Sequence, residues 1–158
     1  MAKHRATVEW VLTDASPEDF LKGRYSRGHA VRFDGGHEVP ATASPHVVGN
    51  RWAVAGAVDP EEMLVAAISN CHMLSFLHAA REAGFVVARY LDRAEGVMEK
   101  NAEGRVAVTR VALRPEIAWE GKAPTSGELD HLHHQAHEMC FIANSVKTEI
   151  VVEASAAA

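Results

Sequence analysis

From Met63 to Ala80 the chain carries no Lys, Arg, Asp or Glu. Apolar residues fall around most of a helical circumference there, so the pattern predicts a long helix covered on more than one side. Its start is marked in the sequence. Asp59 suits the N-cap, Pro60 the first helical position, and Glu62 the reciprocal half of a capping box. Gly84 supplies the stop, and the helix is expected over residues 59–83. Elsewhere the period shortens. Val8, Trp10 and Leu12 share one face of residues 6–13, which reads as a strand. Residues 28–33 and 38–41 flank Asp34-Gly35-Gly36 and read as a hairpin. Residues 44–50 read as loop and 51–54 as a short extended piece. Residues 86–100 and 105–119 flank the polar turn 101–104 and read as a second hairpin. Pro124-Thr125-Ser126 opens a second helix that runs to about Cys140, and a strand is expected over residues 148–153. The order β-β-β-α-β-β-α-β is that of an α+β protein.

Bulk properties narrow the classes. A chain of 158 residues fits a single domain over 1–158, with residues 154–158 expected to fray. The net charge of −5 is spread over interspersed acids and bases, so no basic stripe for nucleic acid is expected. The uncharged run is long enough for a membrane span, but Ser69, Asn70, His72, Ser75 and His78 argue against one. No apolar signal-peptide run stands at the N-terminus, and a cytoplasmic location is expected.

Only two cysteines occur, Cys71 and Cys140. They form no CxxC or zinc-ribbon spacing. In a cytoplasm both would be reduced, and a disulfide between them would be transient and catalytic. Cys71 lies within the apolar helix, between Asn70 and His72. Taken alone, a buried cysteine is an inert packing residue. Glu61 precedes Cys71 by ten residues, or about 15 Å along a helix axis. On one straight helix the two cannot touch, so any cooperation between them needs a second subunit. Four of the ten histidines, His131, His133, His134 and His137, crowd the second helix. His133 and His137 are i,i+4 and His137 and Cys140 are i,i+3, so a metal site on this segment is the main rival reading. There is no HExxH, and a solvated helix face explains most of the cluster. His72 points about 100° away from Cys71 around the helix and reads as a core or interface histidine.

Several of these residues together carry a family resemblance. They are Arg51, the Asp59-Pro60-Glu61-Glu62 helix start, and the segment Ala66-Ala67-Ile68-Ser69-Asn70-Cys71. Farther on come Ala83-Gly84-Phe85, then Cys140 with Ser145-Val146-Lys147-Thr148-Glu149-Ile150. In this the chain resembles the OsmC/Ohr family of organic hydroperoxide reductases over nearly its whole length. The resemblance implies an OsmC-like fold, with antiparallel sheets around a long buried central helix in an intertwined homodimer. It implies a peroxidatic Cys71, a resolving Cys140, an arginine (Arg51) that binds thiolate and peroxide, and a carboxylate (Glu61) that holds it. Arg27 and Arg32 stay open as alternatives, because the arginine's position varies within the family. No prosthetic group is implied, only an organic hydroperoxide and an external dithiol donor, often lipoyl. Better-known members have a proline after the second cysteine where this chain has Phe141. An OsmC-like small-ligand binder without turnover is a third reading.

Overall fold

The computed structural model describes residues 1–153; the tail expected to fray, 154–158, lies outside the described residues. The chain was expected to form one domain. Its contacts group into two compact units, Met1–Met63 and a second from Leu64 on.

The first unit is built on an antiparallel sheet of β1 (Ala6–Glu9), β2 (His29–Phe33) and β3 (Glu38–Ala41). Val8, Val31 and Val39 stand opposite one another across the three strands. The hairpin between β2 and β3 forms where the Gly35-Gly36 pair predicts it, and Gly36 takes φ +82°, which a side chain would resist. β1 stops at Glu9, short of the expected Thr13. Trp10 leaves the ladder and donates its indole N–H to the Ser26 carbonyl at 2.9 Å. Two short helices depart from the expectation. α1 (Pro17–Leu21) is capped by Ser16, and α2 (Pro45–Val48) by Ser44, each with a proline at its start. Residues 51–54 form turns instead of the expected extended piece.

α3 spans Pro60–Glu82 without a break. Its capping box forms as read: the Glu62 amide donates to Asp59 Oδ1 (2.8 Å) and the Asp59 amide to Glu62 Oε2 (3.0 Å).

In the second unit, residues 86–100 do not make one strand. They divide into β4 (Val86–Asp92) and β5 (Glu95–Lys100), and residues 105–119 into β6 (Val106–Leu113) and β7 (Pro115–Glu120). β4 pairs with β7, and β5 with β6, each antiparallel. The Asp92 carboxylate sits at the break: it accepts the Arg114 amide (2.6 Å) and the Ser69 hydroxyl of α3 (2.5 Å). β8 (Glu149–Val152) joins the other edge of β6 in parallel, which departs from the all-antiparallel expectation. α4 (Ser126–Met139) starts with a full capping box of Thr125 and Glu128 and ends at Cys140.

Two apolar clusters hold α3 in this unit. Ile68 packs with Val111 and Leu113 of β6; Phe76, Ala79 and Ala80 pack with Leu132 and Ala136 of α4. The buried positions Ile68, His72, Phe76 and Ala80 recur every four residues and make one stripe. The helix was expected to be buried on more than one side. In the single chain the stripe Ala66, Asn70, Leu74 and His78 is exposed, Leu74 by 58%.

Candidate active site

α3 and α4 bring the two cysteines together. Cys71 is half-buried near the middle of α3. Cys140 caps α4 at its C-terminus and is 1% exposed. Both thiols are free, and Cys71 lies near enough to Cys140 to act on the titration of its thiol. Burial pushes the Cys140 thiol up from its ordinary pKa, and the neighbouring Cys71 pushes it further; the Ala143 amide, 3.4 Å from its sulfur, opposes the shift. At neutral pH Cys140 is thus held as a thiol that can donate a proton to a neighbouring sulfur. The residues 69 positions apart in sequence are the right chemical pair for reversible disulfide exchange.

Next to this pair lies a second one that sequence reasoning missed. His72 is 1% exposed, and its Nε2 lies 3.1 Å from Nδ1 of His133 on α4. The rings are nearly parallel at 12°, and His133 also packs on Phe76 at 4.4 Å between centroids. Burial lowers both histidines to a pKa of about 4; for His72, His133 and His137 add repulsion, whereas Asp130 and Asp92 partly offset the shift in His133. Helix geometry read His72 as a core or interface histidine, and in the single chain it is buried. No local signal names its partner, 61 positions away.

The other candidates lie in the first unit. Arg51 is exposed and stands over the Trp52 ring at 4.8 Å; among the described residues no ion pair joins it to Glu61. Glu61 is half-buried, with Oε2 buried and without a hydrogen-bond partner. Arg32 is held by Glu9 (2.7 Å) and Glu38 on the exposed face of the sheet. Arg27 is placed differently. Its Nη1 donates to the carbonyls of Gly23 (3.0 Å) and Tyr25 (2.5 Å), and its guanidinium lies 3.7 Å above the Tyr25 ring centroid. With Trp10, Phe20, Tyr25, His29 and Pro60 it lines a cavity of about 440 Å3. Pro60 is the residue before Glu61. The aromatic rings there pack at 4.5–5.7 Å between centroids.

Around the crowded histidines of α4, among the described residues, no three His, Cys, Asp or Glu side chains converge as metal ligands.

Residues 53–155 match the family model described as OsmC-like protein. The chain belongs to the OsmC-like family. Its structure is similar to that of an OsmC-like protein of unknown function from Vibrio cholerae, with a TM-score of 0.91 and 48% identity, covering 98% of this chain and 99% of that one. An organic hydroperoxide resistance protein OsmC from Legionella pneumophila matches at TM-score 0.68 and 19% identity, over 98% and 96% of the two chains. The organic hydroperoxide resistance protein OhrB of Bacillus subtilis matches at 0.65 and 15%, over 98% and 97%. At such identities the last two share the fold alone. Among curated proteins no sequence matches. The α+β, OsmC-like fold expected from the sequence is the fold observed.

Proposed function

We propose that this OsmC-like protein is a cysteine-based peroxidase that reduces organic hydroperoxides to alcohols. The carrying observation is that the Cys71 and Cys140 thiols are neighbours, one half-buried and one buried. The Cys71 thiolate attacks the distal oxygen of the hydroperoxide. The O–O bond breaks, the alkoxide takes a proton and leaves as alcohol, and Cys71 becomes a sulfenic acid. The Cys140 thiol then displaces that hydroxyl, releasing water and forming the Cys71–Cys140 disulfide, before over-oxidation can occur. An external dithiol, with a lipoyl group as the first choice, reduces the disulfide by exchange and leaves as its own disulfide. The chain needs no prosthetic group for these steps.

The guanidinium that favours the thiolate is assigned here to Arg27 rather than to Arg51. Arg27 is half-buried in an aromatic cavity suited to an alkyl or acyl chain, whereas Arg51 faces solvent. A carboxylate oxygen buried without a partner at Glu61 is suited to receive a guanidinium. Because α3 is unbroken, Glu61 lies about 15 Å along the axis from Cys71 of its own chain. The protein therefore acts as a homodimer in which Glu61 and Arg27 of one protomer serve Cys71 of its partner. The exposed Ala66–Asn70–Leu74 stripe of α3 is the kind of surface that such a partner covers. The reading places the protein in the cytoplasm, where the dithiol state is maintained.

The test is stoichiometric. One equivalent of cumene hydroperoxide should consume both thiols, and hydrogen peroxide should do so far more slowly. Thiols that survive excess cumene hydroperoxide would leave an OsmC-like fold without this activity.

A further inference from the structure

The contact between α3 and α4 made by His72 and His133 has a geometric consequence for the thiols. On α3, His72 directly follows Cys71. On α4, His133 and Cys140 are seven residues apart, which is two turns, so both lie on one face of that helix. The His72–His133 contact at 3.1 Å fixes the rotation of α4 about its own axis, and with it the direction in which Cys140 emerges from the helix end. Apolar packing of Phe76, Ala79 and Ala80 against Leu132 and Ala136 holds the helices together but has no directional preference of this kind.

The direction of the bond can also be assigned. Two neutral imidazoles need one N–H between them. His72 Nδ1 is buried and has no partner. An unpaired N–H there would cost more than an unpaired lone pair. So His72 carries its proton on Nε2 and donates it to His133 Nδ1. His133 then keeps its own proton on Nε2, and it borders a cavity of about 550 Å3 that Asp130, His134 and His137 also line.

We propose that His72 and His133 are positioning residues for disulfide formation: their hydrogen bond orients α4 so that the Cys140 sulfur faces Cys71. The pair touches neither substrate nor a reacting atom. This inference rests on the disulfide step of the proposed function, but not on the hydroperoxide as substrate, and its test uses no peroxide.

The experiment equilibrates the full-length protein with reduced and oxidised dithiothreitol and measures the fraction of Cys71–Cys140 disulfide. Three variants of His133 separate position from polarity. In His133→Asn the amide oxygen falls where Nδ1 was and can still accept from His72. In His133→Gln it is displaced by one methylene, and in His133→Leu it is absent. His133→Asn should stay within about threefold of the wild-type equilibrium constant. His133→Gln and His133→Leu should lower it about tenfold, which is about 30 mV for this two-electron couple. Should His133→Leu not fold, the isomeric amide pair carries the comparison. Three variants that behave alike, or Gln and Leu variants at the wild-type value, would overturn the inference. A wild-type protein that forms no disulfide in oxidising buffer would overturn it together with the resolving role of Cys140. A disulfide that forms here while hydroperoxides are ignored would count against the substrate reading alone.

Discussion

The proposed mechanism gives each thiol a role set by its surroundings. Cys71 is the accessible sulfur and Cys140 the buried one, held protonated by burial and by its neighbour. In Cys71→Ser, hydroperoxide consumption should fall to the uncatalysed background. Cys140→Ser should still complete one turnover, accumulate sulfenic acid and over-oxidise, which mass spectrometry of the intact protein reads directly. Full turnover in Cys71→Ser would remove the proposed mechanism. The two arginines can be separated in the same way. Arg27→Ala should slow the first step, read as slower loss of the Cys71 thiol with cumene hydroperoxide, while Arg51→Ala should leave that rate unchanged. The reverse result would return the role to Arg51, as its spacing suggested. The histidine pair gives a pH dependence whose sign is fixed. Both imidazoles have folded pKa values of about 4 against 6.5 when unfolded. Between these values the unfolded chain binds more protons, so stability is lost as pH falls from about 6.5 towards 4. The groups that face the pair, His137, Asp130 and Asp92, adjust the size of the effect and leave its sign unchanged. The thermal midpoint should drop by roughly 7–15 °C from pH 7 to pH 5, and His72→Gln, which keeps the Nε2-like donor but cannot titrate, should flatten that slope. An equal slope in His72→Gln would place the sensitivity elsewhere.

At the scale of elements, α3 lies so close to β5 that one methyl group matters. A Cβ built on Gly96 would come 2.5 Å from Cγ2 of Val65 and 3.5 Å from Cγ1 of Val108. Gly96→Ala should therefore overpack the contact and destabilise the fold by about 1–3 kcal/mol. Chemical denaturation measures this, and Gly96→Ala with Val65→Ala should recover part of the loss. Additive losses in the double variant would mean that the two positions do not share that space. The same elements show which parts of the fold were legible in the sequence. Asp59, Pro60 and Glu62 marked the start of α3 because a capping box is a local device. The Asp34-Gly35-Gly36 turn marked its hairpin for the same reason. Ser16-Pro17 and Ser44-Pro45 carried a similar cap signal, but the helices they start are too short for periodicity to reinforce it. The division of residues 86–100 into β4 and β5 was not legible. Asp92 makes it through partners on α3 and before β7, contacts that depend on tertiary position. The parallel pairing of β8 with β6 is likewise non-local. Arg110 and Arg114 support it through Glu153, at 3.0 and 2.8 Å. In the site, Cys71, Cys140 and Glu61 were named from residue type and family likeness, and the proposed mechanism keeps them in those roles. The proposed choice of Arg27 over Arg51 rests on exposure and cavity lining, which spacing in the sequence does not report.

At the scale of the whole molecule, one chain does not contain a complete proposed site. The cysteines belong to the second compact unit, and Arg27 and Glu61 to the first. α3 carries both Glu61 and Cys71, but its straight axis holds them about 15 Å apart. It also leaves Ala66, Asn70 and Leu74 uncovered midway between its ends. The 23-residue helix has the length and hydropathy of a membrane span. Its other face, however, is packed into a folded core by Ile68 and Phe76. In the proposed homodimer a second copy of the chain would cover the stripe and supply the missing groups in one step, since a two-fold contact presents each α3 to its equivalent. Complementation between subunits tests this directly. Glu61→Ala homodimers and Cys71→Ser homodimers should both be impaired. In a mixed dimer, one of the two sites keeps a wild-type Glu61 from one protomer and a wild-type Cys71 from the other. Mixing the two variants should thus restore about half of the wild-type hydroperoxide consumption per heterodimer. A mixture no more active than its parents, or a monomer with full activity in sedimentation-checked samples, would mean that Glu61 works within its own chain or has no catalytic role.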